Sequence, residues 1–202
     1  MKKNLLVVSL IMMVCVLFTA CSAGREKADE GMKNLSVAML HLDKDVLSKY
    51  GEADDLEGDF LKGFVPSFQQ SSGNLFTKDQ ATDIGKAMVK KLATVEVKSA
   101  TIVSEKEDEA EVKITVDKLD GSVLEAEPNA DENKKLQTAI GSKEALQKAL
   151  TDIFVARITN APKAGTAELT VKCKYDKENK VWQPNDMDSY VEELYTKAWG
   201  MN

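Results

Sequence analysis

Two stretches of the chain alternate apolar and polar residues one by one, and that pattern leaves few folds open. In the first, Ala110, Val112, Ile114 and Val116 alternate with Glu111, Lys113, Thr115 and Asp117. In the second, Ala167, Leu169, Val171, Cys173 and Tyr175 alternate with Glu168, Thr170, Lys172 and Lys174. Successive side chains of a strand point to opposite faces, so each stretch reads as a strand with one buried face and one solvated face. Each has a candidate partner. Val95 and Val97 begin a strand before the first; Ala100 and Ile102 fall on the opposite parity, which a bulge near Ser99 corrects. The charged run Glu105–Glu109 turns that pair. Asp176–Asn179 turns the second pair into Val181-Trp182, and Pro184 blocks further pairing.

Between and around these hairpins the apolar spacing is helical. Leu35, Met39, Leu42, Val46 and Tyr50 line one face, and Gly51 follows as a C-cap. Leu56, Phe60, Phe64 and Phe68 repeat every four residues, with Pro66 predicted to kink or stop that helix near Val65. Thr77-x-x-Gln80 is a capping box ahead of Ala81, Ile84, Met88 and Leu92. Leu136 and Ile140 precede a break at Gly141-Ser142, and Leu146, Ala149, Leu150, Ile153 and Phe154 form a wide stripe beyond it. Asp186 or Asp188 caps a last helix bearing Tyr190, Val191, Leu194, Ala198 and Trp199. Hairpins segregated from helices predict an α+β fold: an antiparallel sheet of about four strands packed against helices.

The N-terminus belongs to a different category. Lys2 and Lys3 precede an apolar run from Leu5 to Phe18, and Thr19-Ala20-Cys21-Ser22 follows. The run is short for a membrane span, which needs about 20 residues, and it has the charge and small-residue flanks of a signal peptide. Leu17-Phe18-Thr19-Ala20-Cys21 resembles the lipobox of bacterial lipoproteins, with Phe18 where that family prefers Leu, Val or Ile. The resemblance implies that the Cys21 thiol receives diacylglycerol, that the leader 1–20 is removed, and that the chain is held on the extracytoplasmic face of a bacterial membrane. Ser22 to Met32 is small and charged and reads as a flexible tether, reaching about 17–20 Å on average. The expected organisation is a leader (1–20), a lipidated cysteine and tether (21–32), and one α+β domain (33–202).

Cysteine and charge narrow the function classes. Cys15 leaves with the leader and Cys21 is taken by lipid, so Cys173 stands alone and no disulfide is expected within the mature chain. The leader removes two lysines, leaving 25 Lys+Arg against 33 Asp+Glu, a net charge of −8. Such an acidic chain argues against nucleic acid as a partner. The partner expected from the anchor is the membrane itself.

No constellation of side chains announces a reaction. His41, the sole histidine, has no second ligand at metal spacing and reads as a surface residue. The acidic cluster Glu52, Asp54, Asp55, Glu57 and Asp59 fails the EF-hand register and reads as a solvated loop. No catalytic residue, metal site or cofactor is expected. A cavity under a curved sheet is the candidate ligand site, lined by Val112, Ile114, Val171 and Tyr175 on the inward register. The element order is similar to the curved-sheet-on-helix folds of the cystatin and nuclear-transport-factor-2 type. More closely, residues 33–199 resemble uncharacterised domains of bacterial surface lipoproteins. The reading that follows is a non-enzymatic binding module of the cell envelope. Its alternatives are an enzyme using an inward carboxylate in an apolar cavity and a structural subunit of an envelope assembly.

Overall fold

In the computed structural model, which describes residues 25–51 and 55–201, the four strands form one antiparallel meander. The strands are β1 (Val97–Lys106), β2 (Glu109–Leu119), β3 (Lys163–Asp176) and β4 (Val181–Pro184), in that spatial order. The α+β class read from the alternation holds. Val112 pairs with Val171 and Ile114 with Leu169, so the apolar faces of β2 and β3 coincide. The β1 ladder shifts register between Val97 and Ser99, where parity demanded a bulge, and again between Ile102 and Ser104. The second shift turns Val103 outward, 56% exposed.

Seven helices accompany the sheet among the described residues: α1 (Ala28–His41), α2 (Lys44–Leu47), α3 (Leu56–Ser71), α4 (Lys78–Leu92), α5 (Ala130–Ala139), α6 (Lys143–Asn160) and α7 (Met187–Ala198). Helices α1 and α7 lie on the sheet, and α3, α4 and α6 pack on one another beyond them. None is long and apolar enough to cross a membrane. One contiguous core joins the two layers, running from Val112 and Ile114 on the sheet through Leu35 and Leu194 to Phe76 and Ile84.

Local signals place most helix ends. Thr77 and Gln80 form a reciprocal capping box, Ser142 accepts from the Ala145 amide, and Asp186, not Asp188, caps α7. Two expectations are corrected. The segment 28–32, read as tether, forms the first turns of α1, and Ala28 and Met32 are fully buried. Pro66 does not stop its helix, which runs on to Ser71. The ring is exposed, so the Lys62 carbonyl it leaves unbonded faces water, while Phe64 and Phe68 stack at 5.3 Å across it on the inner side. Ile140, which precedes the expected break at Gly141-Ser142, is the C-cap of α5 and 72% exposed.

The backbone just after α7 lies tightly against the sheet. Gly200 has φ +64°, and a Cβ there would stand 2.5 Å from the Leu119 carbonyl oxygen. Only glycine lets the backbone after α7 approach the end of β2 this closely.

Candidate functional site

Of the four residues predicted to line a cavity, three are core and Tyr175 packs against its edge. Val112 and Ile114 are fully buried and Val171 is 8% exposed, all beneath α1 and α7. Tyr175 is half-buried and packs edge-on against Trp182, ring centroids 5.5 Å apart at 62°. None of the four lines the cleft described below. Residues 28–32 of α1, which the sequence reading assigned to the tether, bring the buried Ala28 and Met32 into the same core.

This stem, residues 25–32, is locked by a set of contacts that starts at Arg25. Its guanidinium carbon sits 4.1 Å from the Tyr175 ring centroid and 4.2 Å from the Trp182 ring. Cations are drawn to the faces of aromatic rings, most strongly to tryptophan. The Arg25 Nη1 also donates to Asp108 Oδ1 at 3.0 Å. Lys177 meets the other Asp108 oxygen, and these bonds, that of Lys177 foremost, hold the Asp108 carboxyl below its ordinary pKa. Trp182 Nε1 donates to the Glu26 carbonyl at 2.9 Å, and Asn34 Nδ2 donates to the Glu26 carboxylate. Gly31 completes the seat, since a Cβ there would lie 3.1 Å from Trp182 Cδ1. The stem is thus fastened to both hairpin turns at one end of the sheet.

A cleft of about 390 Å³ opens between α1, α3 and α7. Its floor is apolar: Met39, Leu42, Leu56, Phe60, Val191 and Tyr195. Tyr195 Oη donates to the Met39 carbonyl at 2.9 Å, which ties α7 to α1, and burial pushes its pKa up to about 12. Phe60 meets the Tyr195 ring edge-on at 6.4 Å and heads an aromatic ladder through Phe64, Phe68 and Phe76. The rim is acidic: Asp59, Asp188 and Glu192. Asp59 is met by Lys62 at 2.7 Å, one turn on. Asp188 and Glu192 have no ion pair with any described residue. The acidic cluster of the sequence leads into this rim. Asp55 caps α3 through the Gly58 amide, and Glu57 is exposed; residues 52–54 lie outside the described set.

Other titratable groups are held rather than poised. Asp117 is only 4% exposed, although its register is outward. Lys98 and Lys163 cover it at 3.1 and 2.5 Å. Burial opposes its charge, but the hydrogen bonds from the two lysines outweigh that, and its pKa falls below the ordinary value. It is the buried carboxylate that an enzyme reading would want, yet it lies on the sheet's outer side between two cations. Burial raises the Cys173 thiol to about 12. Tyr190 is buried against the Ser36 hydroxyl at 2.7 Å, and desolvation raises its pKa too. His41 is exposed at the end of α1. Among the described residues no three His, Cys, Asp or Glu side chains gather as a metal site would require. The lipidation candidate, Cys21, lies outside the described residues.

Sequence reasoning missed both the stem and the cleft. The stem gave no local signal, because Arg25 and Trp182 are 157 positions apart in the chain. The cleft left a faint one. Met187, Val191 and Tyr195 repeat every four residues along α7, a second apolar stripe beside the buried stripe of Tyr190, Leu194 and Ala198.

No protein-family model matches the chain, and no curated protein matches it. Among solved structures it is similar to the crystal structure of YcdA, a protein of Bacillus subtilis subsp. subtilis str. 168 that is described, by inference, as a lipoprotein. The two are 21% identical, with a TM-score of 0.53 over 80% of this chain. The chain spans just over half of YcdA, 56% of its length. At that identity the likeness is one of fold.

Proposed function

We propose that this chain is a lipid-anchored domain on the extracytoplasmic face of a bacterial membrane, and that it binds a cationic, amphipathic polypeptide segment without catalysing a reaction. The anchor reading rests on Cys21 at the end of an apolar leader, and the fold likeness to a protein described as a lipoprotein supports it. The observation that carries the binding reading is the cleft. Its floor offers apolar area to a partner, and two rim carboxylates without ion pairs among the described residues offer charge to a partner's lysines or arginines. Complementary charge steers association and sets orientation, while the apolar floor supplies most of the affinity. The locked states of Asp117 and Cys173 favour binding over chemistry.

Two measurements test this. Mass spectrometry of the native protein should find an N-terminal acylated Cys21, and Cys21→Ala should leave the leader uncut. An unmodified Cys21, or a cut elsewhere, overturns the anchor. For the cleft, a synthetic lysine- and leucine-rich amphipathic peptide should bind the unacylated chain 21–202. The double reversal Asp188→Lys, Glu192→Lys should weaken binding about tenfold, since each exposed pair contributes up to about 1 kcal/mol and its reversal adds repulsion. Val191→Asp should weaken it as well. Binding unchanged by either variant rejects the cleft as the site.

A further inference from the structure

The stem decides how the domain sits on its membrane. Three residues separate Cys21 from Arg25, so the two Cα atoms stand at most ~14 Å apart however the intervening residues are arranged. Arg25 is not free to swing. It is sandwiched on Tyr175 and Trp182 and bonded to Asp108, and Trp182 also holds Glu26. Asp108 belongs to the β1–β2 turn, and Tyr175 and Trp182 flank the β3–β4 turn. Both turns therefore lie at the end of the sheet from which the stem leaves. An eleven-residue tether would have let any face approach the bilayer; this stem does not.

We infer that the two hairpin turns, residues 106–109 and 177–180, form a membrane-facing surface seated on phospholipid headgroups. This rests on the acylation of Cys21 proposed above. With Glu26, Glu105 and Asp176, which flank them, the two turns and Arg25 carry four basic and seven acidic side chains, so the short stem and its anchor, not charge, seat this end on the membrane. Met39 on the cleft floor is eleven residues along α1 from Ala28, ~17 Å from the stem by the helical rise.

The full acylated protein in phosphatidylethanolamine–phosphatidylglycerol vesicles tests this. A thiol-reactive fluorophore is placed at Glu178→Cys on the β3–β4 turn, or at Ala164→Cys at the exposed start of β3, where Lys163 pairs with Leu119 at the opposite end of the sheet. Cys173 is buried in the native state and does not compete for the label. With a quencher carried on lipid headgroups, the label at position 178 should be quenched several-fold more than the label at 164. A ten-residue Gly/Ser insertion after Ser22 adds roughly 17–19 Å of reach and should erase the difference without touching the fold. Equal quenching at both positions in protein that floats with the vesicles overturns the orientation and leaves the anchor standing. Protein that fails to float overturns the anchor and this inference with it.

Discussion

Trp182→Ala should lower the unfolding free energy by about 3–5 kcal/mol, the usual cost of removing a large aromatic side chain from a core. Trp182 is fully buried, and it holds the two ends of the described chain together. Its ring lies beneath Arg25 and against Tyr175, its Nε1 holds the Glu26 carbonyl, and Gly31 packs on its edge. Truncation leaves a cavity and an unpaired carbonyl, and it removes the platform on which the stem rests. Two readouts separate these consequences. Denaturant unfolding reports the global loss. Native-state amide exchange should show residues 28–32 opening ahead of the rest, because their burial depends on this side chain. Arg25→Ala should reproduce the early opening with a much smaller global cost, since Arg25 keeps part of its side chain in water. Uniform exchange in both variants would mean that the stem is held by α1 alone.

The second large effect is expected at Arg157. This side chain of α6 grips Glu132 of α5 with two bonds, Nε to Oε1 at 2.9 Å and Nη2 to Oε2 at 2.8 Å. It also donates to the carbonyls of Val123, Ala126 and Glu127. The pair is largely shielded, at 14% and 13% side-chain exposure. Arg157→Ala removes the bidentate partner and leaves three carbonyls to find water, so about 3 kcal/mol of stability should be lost, the lower end for breaking a buried pair. Arg157→Lys should recover only part of it, because an ammonium cannot reproduce the planar fork.

The pair also sets a pH dependence. The Arg157 hydrogen bonds first, and the Asn129 amide second, lower the Glu132 pKa from 4.5 to about 2. Between those values the folded state binds fewer protons than the unfolded state, so stability rises with pH across the window. The contribution is complete above about 4.5 and is lost as pH falls toward about 2. Denaturant midpoints measured from pH 6 down to pH 2 should therefore fall less steeply in Arg157→Ala than in the parent chain. Parallel curves would show that other carboxylates account for the acid sensitivity.

How far the sequence could be read depended on the range of the interaction involved. The strands were legible because alternation is a property of neighbours: Ala110 to Val116 and Leu169 to Cys173 each state which face is buried. The bulge at Ser99 was legible for the same reason, as a break in parity. So were the Thr77 and Ser142 caps, which are satisfied within three residues. Pro66 misled because its local cost is real, yet the aromatic stack of Phe60, Phe64 and Phe68 spans it on the buried side.

The stem and the cleft belong to longer ranges. Ala28, Gly31 and Met32 sit among charged residues and carry little helical signal of their own; Ala28 and Met32 join a core drawn from the whole chain, and Gly31 packs on a tryptophan 151 residues away. The apolar residues of the cleft come from three helices, and no single helix shows that its second stripe will meet two others. Legible from the sequence alone were the strand pairs, the inner face of each and most helix ends. These depend on the spacing of neighbours along the chain. The tertiary structure decided that residues 28–32 of the expected tether are helical with Ala28 and Met32 buried, that Val112 and Ile114 are core, and that a cleft opens between α1, α3 and α7. Those outcomes depend on which remote surfaces meet, and the energy of burying a face is settled only when its cover arrives.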